Sequence, residues 1–150
     1  MKELRGTATS EVAAPIEQCV ALLRAVDGYP KWYPEVVREV TVIETADDGR
    51  PTKARAKLHV ARGPLVRDFN LLLAIDVAAP NTVALTRIAS GPSDQQRFGV
   101  KWLLEDHGQT HIRVTLDANL SVPRFVPLGG IGEAMAEGFV HAASQELASR

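Results

Sequence analysis

The chain has 150 residues, of which 45% are hydrophobic and 23% are charged, and its formal net charge is -1. Such a chain fits one domain over residues 1–150 and can bury roughly 70% of its unfolded surface without metal or disulfide support. The near-neutral charge disfavours a broad surface for nucleic acid or anionic membranes. No apolar run approaches the roughly 20 residues of a bilayer crossing, so we expect no stable membrane insertion. The single cysteine, Cys19, excludes an internal disulfide and favours a reducing compartment, so we expect a cytoplasmic protein.

The N-terminal part of the chain predicts one strand followed by two short helical segments. Residues Lys2 to Ala13 alternate weakly between apolar and polar side chains, which indicates a strand. Pro15 suits the first turn of a helix over Pro15 to Val26, because its missing N–H costs nothing there. A second helical turn over Tyr29 to Tyr33 ends before Pro34, which disfavours the α conformation in the residue preceding it.

Six further strands are predicted after this bend, because apolar and polar side chains alternate in each segment. Their ranges are 35–45, 53–61, 65–77, 82–90, 95–105 and 111–120. The turn signals DDGR, RGP, APN, GPSD and DHGQ separate them. Consecutive strands joined by short turns form an antiparallel meander, and the apolar face of that meander needs a cover.

The C-terminal segment predicts the helix that covers this face. Over Ile131 to Ser149, apolar residues recur at helical spacing and form a stripe. Gly132 and Gly138 each cost the helix about 1 kcal/mol relative to alanine. Small residues near the stripe either let the helix approach the sheet closely or leave room for a bound molecule.

Two stretches carry a resemblance to a known family. EVAAPIEQCVALLRAVDGYPKWYPEV joins a strand, an Ala-Pro helix start and an Asp-x-Tyr-Pro-x-Trp-x-Pro element. SGPSDQQRFGVKWLLEDHGQTHIRVTLDANL contains a Gly-Pro turn and a Gly-x-x-Trp strand. Together they resemble the START-like, helix-grip superfamily, which includes the birch-pollen allergens. Within it they resemble the polyketide cyclase/dehydrase and lipid-transport family, including its coenzyme-Q-binding-like members.

The resemblance implies an α+β helix-grip fold. A curved antiparallel sheet of about seven strands would wrap around the long C-terminal helix, with two short helices after strand one. It also implies a ligand cavity between sheet and helix, with these expected wall residues: Trp32, Tyr33, Phe69, Leu71, Arg87, Phe98, Trp102, Met135 and Phe139. The alternatives are a solid core without a cavity, and a Trp32 that only plugs the core.

Two arginines are the candidate catalytic residues. By alternation, Arg67 shares a strand face with Phe69, and Arg87 shares one with Leu85. On the concave side, each would place a positive charge beside an apolar chamber, where it could stabilise developing negative charge. In the alternative interpretation, both lie near strand ends and reach solvent through their long side chains.

Metal and acid–base chemistry has little sequence support. His59, His107, His111 and His141 show no metal-ligand spacing with cysteine or acidic residues, so we expect neither a metal nor a cofactor. The sequence also indicates no His–Asp pair in the interior that could supply a general base.

The leading functional hypothesis is binding or transport of a small apolar molecule, such as a lipid, an isoprenoid quinone or a polyketide, by a monomer or weak homodimer. The first alternative is an aromatase/cyclase-type enzyme that uses the same cavity, which the missing general base disfavours. The second alternative is a protein-interaction module. Its surface would be the polar strand face of Lys53, Arg55, Lys57 and His59, although a solvated face explains the same pattern.

Overall fold

The computed structural model describes residues 2–62, 65–77, 79–120 and 130–150. Within them the strands are β1 (Lys2–Val12), β2 (Val37–Thr45), β3 (Pro51–Arg62), β4 (Leu65–Asp76), β5 (Thr82–Arg87), β6 (Arg97–Asp106) and β7 (Thr110–Leu120). The helices are α1 (Ile16–Arg24), α2 (Tyr29–Trp32) and α3 (Ile131–Ala148), with a 3₁₀ turn at Val26–Gly28 between α1 and α2. This order confirms the predicted succession of elements.

The strands form one antiparallel sheet in the order β1-β7-β6-β5-β4-β3-β2. Strands β2 to β7 are a meander, and β1 joins it by pairing with β7. β1 and β2 are therefore the edges, and the pairing of β2 with β3 shifts register at three points. The predicted helix-grip fold is confirmed, because the apolar face of the sheet is buried with α3 in one core.

The first helix is shorter than predicted. It begins at Ile16, and Pro15 precedes it as an N-cap with extended backbone (ψ 148°) instead of occupying its first turn. It ends at Arg24 instead of Val26, because Ala25 leaves the helical conformation (ψ 74°) and the chain tightens into the 3₁₀ turn. The other boundaries lie within two residues of prediction, apart from the end of β5.

α3 touches β1 through a contact between two glycines. A Cβ atom on Gly132 would overlap the backbone of Arg5, and a Cβ atom on Gly6 would overlap the Gly132 carbonyl group. The two backbones therefore meet with no side chain between them. Farther along α3, the Ser144 hydroxyl donates to the Val140 carbonyl and accepts a hydrogen bond from the Ser10 hydroxyl over 3.0 Å. Gly132 thus brings the helix close to the sheet and leaves no room for a guest.

Gly138 makes room for a side chain of the protein. A Cβ atom there would overlap the hydroxyl group of Tyr33. Tyr33 is buried, and its ring meets the Phe139 ring edge to face with centroids 4.8 Å apart. The space beside this glycine is therefore filled by the aromatic residue that follows α2.

Three segments lie at the same end of the sheet: the start of α3, the loop 88–96 and the segment 33–36. β2, β4 and β6 begin at this end, whereas β3, β5 and β7 finish there. The contact of Gly132 with the start of β1 places the beginning of α3 at the same end. We call it the α3 end of the sheet.

The fit between Gly138 and Tyr33 can be measured by a double-mutant cycle. Gly138→Ala should lower the free energy of unfolding by about 1–3 kcal/mol, because the new methyl group meets a buried hydroxyl. In a Tyr33→Phe background the same change should cost clearly less, because only the ring carbon Cζ, 3.0 Å from the added atom, still has to shift and alanine gains about 1 kcal/mol of helix propensity. Urea unfolding of the four proteins measures both values.

Gly28→Ala is the control, because nothing lies within 4 Å of a Cβ atom at Gly28. It should change the urea midpoint little. An equal cost of Gly138→Ala in both backgrounds would show that the Tyr33 hydroxyl does not occupy this space.

Candidate functional site

The space between the concave face of the sheet and α3 is almost filled by side chains. It leaves a cavity of about 20 Å³, counted as space for the centre of a water molecule, which is room for about one water. The described side chains that line it are Val26, Tyr29, Val37, Val40, Ala54, Ala56, Leu58, Leu73, Leu85, Phe98, Val100 and Phe139. All are apolar or aromatic, so the candidate site is a small void in a hydrophobic core.

The structure brings only part of the predicted wall to this cavity. Of the predicted residues, Phe98 and Phe139 line it. Those that are buried without lining it are Tyr33, Phe69, Leu71, Trp102 and Met135. Trp32 is half-buried and also outside the lining. Strand alternation indicated that the missed residues, such as Ala54 and Ala56, face inward, but it could not indicate where the packing leaves a gap.

An aromatic cluster closes the cavity on the helix side. Phe139 of α3 lies at its centre, with ring centroids 4.8 Å from Tyr33, 6.1 Å from Trp102 and 6.5 Å from Tyr29. The Trp32 ring packs 4.6 Å from that of Tyr29. The aromatic residues of the Tyr29–Tyr33 bend therefore support α3, which favours a packing role for Trp32.

The hydroxyl and indole N–H groups of this aromatic cluster are not placed for acid–base chemistry. The Tyr29 hydroxyl donates to the Leu23 carbonyl over 2.6 Å. Burial raises the pKa of Tyr29 well above its ordinary value, so the hydroxyl stays protonated. The nearby Trp102 indole opposes this rise without reaching hydrogen-bond geometry. The buried indole N–H groups of Trp32 and Trp102 find no acceptor among the described residues.

Arg87 stabilises the conformation of the loop 88–96 through its hydrogen bonds. Its guanidinium pairs with both carboxylate oxygens of Asp94, at 3.0 and 2.7 Å, and donates to the Gln96 carbonyl over 2.9 Å. Asp94 also accepts from the N–H and the hydroxyl of Ser90 and from the Gln96 N–H. These bonds hold the pKa of Asp94 well below its ordinary value, with Arg87 as the largest cause. They also explain why β5 ends at Arg87 and not at the predicted Ser90.

Arg67 follows the alternative interpretation given above. It is exposed, and its guanidinium carbon lies 5.5 Å from the centroid of the Phe69 ring. Neither Arg67 nor Arg87 lines the cavity. Their positions therefore give no support to a catalytic role in it.

A surface His–Asp pair, His59 with Asp68, lies on the hairpin of β3 and β4. His59 Nδ1 is 2.7 Å from Asp68 Oδ1, and Lys57 Nζ is 3.9 Å from the other carboxylate oxygen. The bond to His59 holds the pKa of Asp68 below its ordinary value. Sequence analysis missed this pair, although a signal existed. In a hairpin, residues at equal distances from the facing strand ends lie opposite each other, and His59 is three residues before the end of β3 as Asp68 is three residues after the start of β4.

An open groove lies beside this pair at the α3 end of the sheet. It measures about 400 Å³ on the same basis as the cavity. The described residues that line it are Pro34, Glu35, Val36, Arg38, His59, Val60, Ala61 and Met135. We call it the α3-end groove. It contains Met135, which was predicted for the cavity wall, and it combines apolar with charged side chains.

The polar face of β3 is largely paired with neighbouring carboxylates. Lys53 Nζ lies 3.8 Å from Glu44 Oε1, and both Lys57 and His59 contact Asp68. Local ion pairs between exposed groups are what a solvated strand face shows. This favours the solvated interpretation of the face over a dedicated protein-interaction surface.

The described part of the chain offers few groups for metal or membrane chemistry. Across its residues, no cluster of three or more His, Cys, Asp or Glu side chains is placed to hold a metal ion. None of its helices has the length and apolarity that a bilayer crossing needs. What the described interior offers to a ligand is contact with apolar surface.

The Asp94 carboxylate should stabilise the folded protein in a pH-dependent way. Because its folded pKa is lowered, this contribution is present above the unfolded value of about 3.9 and is lost as the pH falls below it. Asp94→Asn should therefore lower the urea midpoint at neutral pH, and the difference from the parent chain should shrink below about pH 4. Urea unfolding across this pH range measures the effect.

Asp76→Asn is the matched control, because Asp76 is an exposed carboxylate at the end of β4. It should leave the midpoint nearly unchanged at every pH. A deficit of Asp94→Asn that stays constant down to about pH 2 would contradict the role given to the Asp94 charge.

Residues 3–150 match the family described as polyketide cyclase / dehydrase and lipid transport. No curated protein sequence matches the chain at a significant level.

Solved structures from several organisms share this fold. A START superfamily protein from Mycobacterium smegmatis aligns with a TM-score of 0.77 and 18% identity, over 97% of this chain and 98% of that one. The Zhui aromatase/cyclase from Streptomyces sp. R1128 gives 0.64 and 18%, over 99% and 96%. The lipid transfer and protein localization domain of human StarD13 gives 0.61 and 15%, over 94% and 75%. These identities show a shared fold alone.

The family match carries the assignment, because it spans nearly the whole sequence. The chain belongs to the polyketide cyclase/dehydrase and lipid transport family.

Proposed function

We propose that this protein binds a small hydrophobic ligand, such as a lipid, an isoprenoid quinone or a polyketide-like molecule, between the sheet and α3. The observation that carries the proposal is the small cavity whose described lining is wholly apolar or aromatic. Removing apolar ligand surface from water is favourable by about 25 cal/mol per Å², and this lining has no charge to desolvate. A family description that includes lipid transport supports the proposal.

A ligand larger than water must displace part of the cavity wall. On the sheet side, the small side chains of Ala54 and Ala56 project only a short way into the cavity. On the opposite side stand Tyr29 and Phe139, and Tyr29 belongs to the four-residue helix α2. So short a helix has little stability of its own. We therefore assign ligand admission to an outward movement of α2 and the Phe139 ring, while the sheet stays fixed.

An aromatase/cyclase-type enzyme is the second candidate. The similar fold of the Streptomyces aromatase/cyclase is the observation that favours it. In such an enzyme the same cavity would orient a reactive poly-β-keto chain. The two candidates differ in their product, because a carrier returns its ligand unchanged and a cyclase converts it. For either candidate function we propose a cytoplasmic location, which the free and buried Cys19 supports.

Mass spectrometry of the purified protein is the direct test, first under native conditions and then after organic extraction. A stoichiometric apolar compound would support the proposal and identify the ligand class. Incubation with a poly-β-keto substrate then separates the candidates by the mass of the product. A protein that carries no compound and binds neither naphthalene nor dodecanol would contradict hydrophobic ligand binding.

Changing the cavity volume should change binding in opposite directions. Leu85→Ala should destabilise the protein by about 2–5 kcal/mol, yet strengthen naphthalene binding, because it enlarges the cavity. Ala56→Leu should abolish that binding by filling the space. The intrinsic fluorescence of Trp32 and Trp102 reports binding, since both rings pack in the cluster that must move.

Leu116→Ala is the matched control, because Leu116 is a buried leucine of β7 outside the cavity lining. It should cost similar stability without strengthening binding. If Leu85→Ala and Leu116→Ala change the affinity for naphthalene equally, the ligand does not occupy the cavity.

A further inference from the structure

We propose that the ligand is an amphiphile with an acidic head, a carboxylate or a phosphate, whose apolar part occupies the cavity and whose head occupies the α3-end groove. This inference rests on the proposed function, because it places the apolar part of the ligand in the same cavity. It adds the chemical class of the ligand and the residues that select it.

The groove continues the cavity along both of its walls. On β3, Leu58 lines the cavity and Val60 lines the groove, on the same strand face and about 7 Å farther along. On α3, Phe139 lines the cavity and Met135 lines the groove, about 6 Å apart along the helix axis. One chain-like molecule can therefore lie in both spaces.

Tyr33 lines neither space but adjoins residues that line each of them. Its ring packs against Phe139, which lines the cavity, and the next residue, Pro34, lines the groove. Its hydroxyl lies against Gly138, between Met135 and Phe139 on α3. Tyr33 directly follows α2, the segment assigned to ligand admission, so an outward movement of this segment joins the cavity to the groove.

The groove differs from the cavity in its charge. Arg38 and His59 bring a guanidinium and an imidazole to its lining, whereas the described cavity lining has no charged side chain. Among the described residues, no carboxylate lies within ion-pair distance of Arg38, and the Asp68 carboxylate, which attracts it electrostatically, is in direct contact with His59 and Lys57 instead. The planar guanidinium donates two parallel hydrogen bonds to a carboxylate or phosphate, which makes Arg38 the residue that recognises the head.

Glu35 provides an opposing charge in the same groove. It is exposed and lies three residues before Arg38, and both side chains line the groove. Its carboxylate repels an acidic head, whereas the nearby carboxylate of Asp68 is already engaged by His59 and Lys57. Neutralising Arg38 and neutralising Glu35 should therefore shift the affinity for an acidic head in opposite directions.

The experiment compares ligands that share one dodecyl chain and differ in the head. Titration calorimetry at neutral pH measures dodecanoate, dodecyl phosphate, dodecanol and dodecyltrimethylammonium with the full chain, each below its micelle concentration. We expect the two anions to bind about tenfold tighter than dodecanol, as one charge-assisted bidentate contact provides, and the ammonium compound to bind weakest. The anion advantage should fall as salt is added.

Two variants test the groove itself. Arg38→Gln should remove the advantage of the anions over dodecanol, and Glu35→Gln should increase it several-fold. For dodecanol, whose head carries no charge, both variants should change the affinity much less than for the anions. Arg113→Gln, on the exposed polar face of β7, is the matched control and should leave all four affinities unchanged.

The outcomes separate this inference from the proposed function. Equal binding of dodecanoate and dodecanol, or an equal loss for both in Arg38→Gln, overturns the head site and leaves hydrophobic binding intact. Inorganic phosphate that binds as tightly as dodecyl phosphate also overturns it, since the chain then contributes nothing. Failure of all four dodecyl compounds to bind overturns the inference, and if naphthalene also fails to bind and no apolar compound copurifies, the proposed function is overturned with it.

Discussion

The backbone contact between Gly6 and Gly132 fixes where α3 lies on the sheet. With no side chain between the two elements, the helix is held against β1 and β7. The remaining part of the concave face, over β2 to β5, is then too far from the helix axis to be covered by the helix backbone. The residues around the cavity come largely from these strands, which places the void beside the line of helix contact.

The aromatic residues of the Tyr29–Tyr33 bend fill the space that this arrangement creates. Flat rings on a short connector can be wedged sideways between helix and sheet, where a residue on a strand or long helix would have a fixed direction. The bend is anchored at one end by the Tyr29 hydroxyl on Leu23 and at the other by the Tyr33 ring beside Gly138. Its unusual concentration of aromatic surface is therefore a packing device for an off-centre helix. The same short connector is the part of the cavity wall with the least stability of its own.

The fold could be predicted from the sequence because alternation along β3 to β7 and the stripe of α3 are local patterns. The position of the cavity could not, since it depends on which inward residues meet across the core. Phe69 and Phe98 have the same pattern in their strands, yet only Phe98 reaches the gap. Arg87 shows a second limit. Its face was predicted correctly, but its partner Asp94 lies in an irregular loop whose conformation no periodic pattern describes. The pairing of His59 with Asp68 was within reach, because a hairpin turn determines which residues face each other.

The register shifts of β2 have a consequence for how copies of this protein meet. β2 is an edge strand, and an edge with a regular row of free N–H and C=O groups invites the strand of another molecule to pair with it. Three interruptions in nine residues break that row and increase the local twist. An incoming strand can match only a few groups before its own spacing fails. The irregular edge thus protects this chain against sheet-to-sheet aggregation.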